Sequence, residues 1–166
     1  MLKFFHILLI ISISFSNSIF DQSCYQAQNE MINDKEPFYD QKKDKCYVSH
    51  FIIERPIIDG ILDESVWGDF DITNIDNYIH SFIQEEPNNM SSPIFDTLVK
   101  IIHDDENIYV AARLFDTNPD SVKSVLSRKD DWDRAFSDQA DWFSIEFDSK
   151  HDHQSGYLFA VNAAGI

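Results

Sequence analysis

From Tyr47 onward, apolar residues come in short runs broken by polar turns, the texture of a strand-rich chain rather than a helical one. Tyr47, Val48, Phe51, Ile52 and Ile53 form a first β-rich run, which Pro56 closes. Ile57-Ile58-Asp59-Gly60 predicts a turn. Leu62 to Val66 then has helical spacing, with Asp63 and Glu64 where a helix N-terminus favours negative charge, so one short helical turn is expected. Trp67, behind Leu62 and Val66, reads as core.

The clearest signal lies between Thr97 and Phe115. Leu98 to Ile102 is a strand-like run, Asp104-Asp105-Glu106-Asn107 is turn chemistry, and Ile108 to Phe115 is a second run. Period two assigns Ile108, Val110, Ala112 and Leu114 to one face, expected to be the core face. Tyr109, Ala111, Arg113 and Phe115 fall on the other, amphipathic face. Asp120 to Ser127 has moderate helical spacing in Val122, Val125 and Leu126. Asp141 to Asp148 alternates, with Phe143, Ile145 and Phe147 opposite Trp142, Ser144 and Glu146. A polar turn, Ser149 to Gly156, leads to the last run, Tyr157 to Asn162. Many short strands joined by polar turns predict an all-β sandwich or barrel.

The first 45 residues differ in kind. Lys3 precedes Phe4 to Phe15, an apolar stretch interrupted only by His6, Ser12 and Ser14, and Ser16-Asn17-Ser18 supplies small residues. That order predicts an export leader, 1–18, with a membrane anchor that stays attached as the alternative; the stretch is short of the roughly 20 apolar residues a membrane span needs. Residues 19–45 have no sustained apolar face and read as a linker. Cys24 and Cys46 have one intrachain pairing open to them in an oxidising compartment. The alternative leaves Cys24 in a leader segment that never meets Cys46.

Composition narrows the partners. The chain has 166 residues, 13 basic against 29 acidic side chains, and a formal charge of −16. Such a surface repels a phosphate backbone, so nucleic acid is not expected as a partner. With 14 Phe, 6 Tyr and 3 Trp the chain has enough apolar surface to order itself.

A resemblance joins these pieces. Pro56-Ile57-Ile58-Asp59-Gly60-Ile61-Leu62-Asp63-Glu64-Ser65-Val66-Trp67 resembles the opening signature of family 9 carbohydrate-binding modules. Phe82-Ile83-Gln84 with Pro87, Thr97 through Asp105, and Ile108 through Asp116 follow in that family's order. Arg128-Lys129-Asp130-Asp131, Asp141-Trp142-Phe143, Phe147-Asp148 and Gly156 through Asn162 complete the series. The resemblance implies an antiparallel, jelly-roll-like β-sandwich over 46–166 with one or two short helical turns, incomplete at its C-terminal end. It is closest to the version placed ahead of an outer-membrane β-barrel in exported bacterial proteins. The expected setting is therefore the periplasm, outer membrane or cell surface, and the expected ligand is a saccharide or polysaccharide. An accessory domain docked on its own barrel, without sugar binding, is the alternative. The hydrolase label that such proteins carry is a further one.

Sugar binding needs an aromatic platform and planar polar groups beside it. Trp142 is the candidate platform, with Glu146 beside it, and Arg113 and Tyr109 are candidates from the amphipathic face of the other strand. Trp132, in the acidic stretch Asp130 to Asp133, is either a lid or simply exposed. Sugar-binding members of the family clamp their ligand between two tryptophans, a pair that the resemblance alone does not place here. Asp104, Asp105, Asp130 and Asp141 are candidate ligands for a structural calcium, which some members of the family hold. Hard oxygen donors on loops suit that ion. His151-Asp152-His153 offers two histidines where structural zinc takes four ligands. No Gly-x-Ser-x-Gly elbow, His-Glu-x-x-His or phosphate loop occurs, and no catalytic residue is assigned.

Overall fold

The computed structural model describes residues 47–84, 86–129, 131–136, 139–150 and 154–166, and the backbone of Leu8–Ile11. The proposed linker, Cys24, Cys46, Asp130 and the His151-Asp152-His153 turn lie outside the described residues. Strand dominates, with almost no helix. The strands are β1 (Leu8–Ile11), β2 (His50–Phe51), β3 (Thr97–His103), β4 (Ile108–Leu114), β5 (Trp142–Phe147) and β6 (Tyr157–Asn162). The only helical pieces among the described residues are a 3-10 turn at Pro119–Ser121 and a one-turn helix, α1, at Trp132–Ala135. The strands form two three-stranded sheets, in the orders β2-β3-β4 and β1-β5-β6. The chain divides correspondingly into two compact units. One holds Ser16–His80 and Leu98–Arg113, the other Met1–Phe15, Ser81–Thr97 and Leu114–Ile166.

The first unit is built on β3. Leu98, Val99, Ile101 and Ile102 are all nearly inaccessible, so both faces of this strand are covered. That explains why its sequence is a continuous apolar run rather than an alternating one. β2 runs parallel to it, pairing His50 with Ile102 and Phe51 with His103. The expectation of a purely antiparallel architecture is corrected here. The long connection from Ile52 to Asp96 leaves room for the crossover that a parallel neighbour requires. β4 lies on the other side of β3, across the Asp104–Asn107 turn, too short a link for anything but a hairpin. Its buried position also differs from expectation. Ala111 is 5% exposed, whereas Ile108 and Leu114 are 36% and 43% exposed. A small side chain at Ala111 lets that face pack closely, and the larger residues are left outside.

Trp67 is held from below and above. The segment Leu62–Val66 closes as hydrogen-bonded turns, Trp67 N to Glu64 O and Gly68 N to Ser65 O, rather than as a helix. Tyr78 anchors the chain that follows. Its hydroxyl donates to Trp67 O at 3.1 Å and accepts from Phe70 N at 2.9 Å. The Phe70 and Tyr78 rings meet at 4.8 Å. Gly68 has φ +72, and a Cβ there would lie 2.6 Å from the Tyr78 hydroxyl, so glycine is required twice over. Lys100 Nζ donates to the same Trp67 carbonyl at 3.2 Å, and burial pulls its pKa down.

In the second unit β5 and β6 pair antiparallel, from Trp142 opposite Asn162 to Phe147 opposite Tyr157. The predicted strand at Tyr157–Asn162 is therefore present. The predicted helical stretch Asp120–Ser127 has no helix beyond the 3-10 turn at Pro119–Ser121, and Val122 is already extended. Lys123 bonds to Asp141 through both its backbone groups: its N–H donates to the carboxylate, and its carbonyl accepts the Asp141 N–H. β-Branched Val122 and Val125 suit that extended course.

Candidate functional site

One cluster in the second unit has the chemistry of a platform. Trp132 and Phe136 stand four residues apart, which one turn of helix brings to the same side. Their ring centroids are 4.8 Å apart. Trp142, on β5, packs edge-on against both, at 5.9 Å from Trp132 and 5.6 Å from Phe136. These are edge-to-face distances favoured by aromatic quadrupoles. Trp142 and Phe136 are half-buried, whereas Trp132 is 49% exposed. The result is an indole presented to solvent with two rings fixing it from behind.

Asn162 places this helix. It is buried opposite Trp142 in the sheet register. Its side-chain amide donates to Val125 O at 2.9 Å and to Ala135 O at 3.0 Å. Its side-chain oxygen accepts from Ala164 N and Ile166 N. All the capacity of one amide is thus spent tying α1, the 125 segment and the turn after β6 to the same strand end.

The sequence-predicted contact residues are distributed between the units. Trp142 and Glu146 project on one side of β5 and belong to the second unit, while Arg113 and Tyr109 lie on β4 and belong to the first. Between Trp142 and Glu146, Ser144 is only 3% exposed, so their shared face is closed at its middle. Glu146 lies against Gly156, where a Cβ would stand 2.5 Å from its Oε1. Arg113 is exposed. The Tyr109 hydroxyl donates to Asp104 Oδ2 at 2.9 Å.

Asp104 is the centre of a second, polar cluster. Its Oδ1 accepts the backbone N–H groups of Glu106 and Asn107 at 2.7 and 2.6 Å. Its Oδ2 meets Arg55 Nε at 2.6 Å, and Arg55 Nη2 continues to Glu106 at 2.6 Å. Burial opposes ionisation of Asp104, but the donors from Glu106, Tyr109 and Asn107 outweigh it and hold its pKa well below the usual carboxylate range. The same contact pushes the Tyr109 phenol up, burial first and the Asp104 charge next. A cavity of about 320 Å³ opens beside the cluster, lined by Phe51, Ile53, Arg55, Asp104, Asp105 and Glu106.

This geometry defines what the acidic turn can do. A carboxylate held so firmly ionised is a poor general acid and a weak base. Both oxygens of Asp104 already accept donors. Asp141 spends one oxygen on the Lys123 N–H. Asp104 and Asp105 belong to the first unit and Asp141 to the second, and among the described residues no three carboxylates, histidines or cysteines converge.

Phe136 and Arg55 are the participants the sequence reading did not single out. Phe136 was findable from its spacing to Trp132, but Arg55 lies 51 residues from Glu106 and no local pattern links them. No family model, curated protein or solved structure matches the chain.

Proposed function

We propose that this chain is a non-catalytic carbohydrate-binding-type module of an exported protein, folded as a jelly-roll-like β-sandwich. The observation that carries the reading is the three-ring cluster of Trp132, Phe136 and Trp142, with one indole open to solvent. A pyranose presents an apolar face of C–H groups that stacks on an exposed aromatic ring, and a fixed ring loses little entropy in doing so. The cluster supplies two tryptophans side by side. At 5.9 Å between edge-packed rings they form a continuous surface rather than a slot, so the sugar lies on Trp132 instead of between the two. Glu146, in the same unit as the rings, remains their polar candidate; Arg113 and Tyr109 are separate candidates in the other unit, Tyr109 through the hydroxyl it shares with Asp104.

Titration of intrinsic tryptophan fluorescence with a panel of soluble glycans, with and without calcium, tests this. A saturable change that is lost in Trp132→Ala and in Trp142→Ala is the expected result. A folded chain that responds to no glycan overturns the reading. Calcium enters as a structural ion only if its addition shifts the glycan midpoint or the melting temperature.

One observation favours a second reading, a domain that docks on protein, such as an outer-membrane barrel of the same polypeptide. β6 carries Tyr157, Leu158, Phe159 and Val161 in exposed positions, with Tyr157 and Phe159 63% and 59% accessible. Apolar strands left open in this way are commonly interaction surfaces.

A further inference from the structure

We infer that the outer edge of β5 is a strand-accepting surface, and that the aliphatic segment Leu8–Ile11 of the same chain occupies it before any leader is removed. β5 is the middle strand of its sheet, with β6 on one side and β1 on the other. β1 runs parallel to it, and each of its four residues has a partner: Leu8 with Ser144, Leu9 with Ile145, Ile10 with Glu146 and Ile11 with Phe147. In a strand paired on one side only, half of the backbone N–H and C=O groups point away from the partner. With β1 in place, Ser144 and Ile145 of β5 are 3% and 5% exposed. A covered backbone group without a partner is unfavourable, so a strand at this edge satisfies groups that would otherwise be left unpaired. The occupant suits it. Leu8-Leu9-Ile10-Ile11 carries no charge and no proline, and Leu and Ile side chains add no polar groups that would need partners of their own. More than 100 residues separate the two strands, ample for the crossover a parallel pair needs.

The consequence rests on the export reading of the first 18 residues. The segment that would act as a leader is the same one that closes the sheet. Folding therefore engages its backbone in the sheet, and it is free to enter an export machinery only while that pairing is absent. Its removal opens the edge of β5 to the next extended aliphatic strand.

Hydrogen exchange on the full chain tests the pairing directly, read on the β5 amides that do not face β6. Leu9→Pro and Ile10→Pro are compared with the parent. Adjacent residues of a strand point their N–H groups to opposite sides, so one of the two replacements deletes a bond to β5 while both distort the ladder. At least one variant should raise exchange at those amides by about tenfold or more, the effect of losing one buried bond, with the β6-facing amides still protected. If neither variant changes exchange along β5, the edge is not filled by this segment and the inference is wrong. N-terminal sequencing of the chain secreted by an expressing cell addresses the export reading separately. A secreted chain that still begins before Leu8 removes that reading, while the proline variants alone decide the strand pairing.

Discussion

The side-chain amide of Asn162 donates to the carbonyl oxygen of Ala135, 27 residues earlier, at 3.0 Å, and thereby fixes a one-turn helix against the end of a strand. A helix of one turn has no stability of its own, because nucleation is unfavourable and few bonds repay it. Its position has to be imposed. Asn162 imposes it from the register position opposite Trp142, so the ring on β5 and the rings at Trp132 and Phe136 meet.

Asn162→Ala should therefore do two things at once. It leaves the carbonyls of Val125 and Ala135 and the amides of Ala164 and Ile166 without their partner, a loss of about 2–4 kcal/mol when several buried groups are orphaned together. Urea unfolding measures that loss. The emission of Trp132 should also move to longer wavelength as its supports loosen, at urea concentrations where the chain is still folded.

The two tryptophans should separate in their effects. Trp132→Ala removes a half-exposed ring and should change stability by less than about 1 kcal/mol while abolishing any glycan response. Trp142→Ala, at a half-buried strand position between two rings, should cost about 2–3 kcal/mol as well as the response. Parallel denaturation curves and fluorescence titrations on the same preparations distinguish the two.

Tyr78→Phe deletes a single oxygen that both accepts from Phe70 N and donates to Trp67 O. Its expected cost is about 1–3 kcal/mol, mostly from the buried Phe70 amide left unpaired. Gly68→Ala should be at least as damaging, since it meets the Tyr78 hydroxyl and an unfavourable φ together. Introducing Tyr78→Phe alongside Gly68→Ala should relieve the clash but not the φ, so the double variant should be less destabilised than the sum of the two.

Gly156 and Glu146 should be coupled in the same way. A Cβ on Gly156 would meet Glu146 Oε1 at 2.5 Å, Cγ at 3.0 Å and Cδ at 3.2 Å. Gly156→Ala should destabilise by about 1–3 kcal/mol through overpacking. Combined with Glu146→Ala, which removes all three atoms, that cost should largely disappear. A double-mutant cycle measures the coupling, and strict additivity would contradict the contact.

Asp104 gives the chain an acid sensitivity of known sign. Its folded pKa lies below the ordinary value of 3.8, so the unfolded chain binds its proton more readily. The stability it contributes is fully present above about pH 5 and is lost as the pH falls below about 4 toward the folded pKa. Asp71 adds a smaller effect of the same sign, because the backbone and hydroxyl of Thr73 lower its pKa. Denaturation midpoints measured from pH 7 to pH 2.5 should fall more steeply in the parent than in Asp104→Asn, and the two curves should converge at the acid end.

Several of these features are written in the sequence. The runs at Leu98–Ile102 and Ile108–Phe115, with Asp104–Asn107 between them, needed only strand propensity and turn chemistry to be placed. Trp67 was legible as core from its position behind Leu62 and Val66. Asp141–Phe147 and Tyr157–Asn162 were legible as strands, although period two did not disclose that Ser144 is as buried as Ile145. The candidate site was less legible. Trp142 stood out as a large aromatic on a polar face, but the acidic flanks of Trp132 left it as either a lid or an exposed ring, and nothing local joined it or Phe136 to Trp142.

Local pattern thus determined which segments extend, where they turn, and that the chain is rich in strand. Those properties depend on residues within a few positions of one another, through backbone preference and side-chain alternation. Tertiary structure decided the rest: that β2 runs parallel to β3, that Ala111 rather than Ile108 faces inward, that Tyr109 serves Asp104, and that Asn162 gathers three aromatic rings. Each of these joins residues through hydrogen bonds or packing that no local rule contains, since each depends on which surfaces the long connections bring into contact.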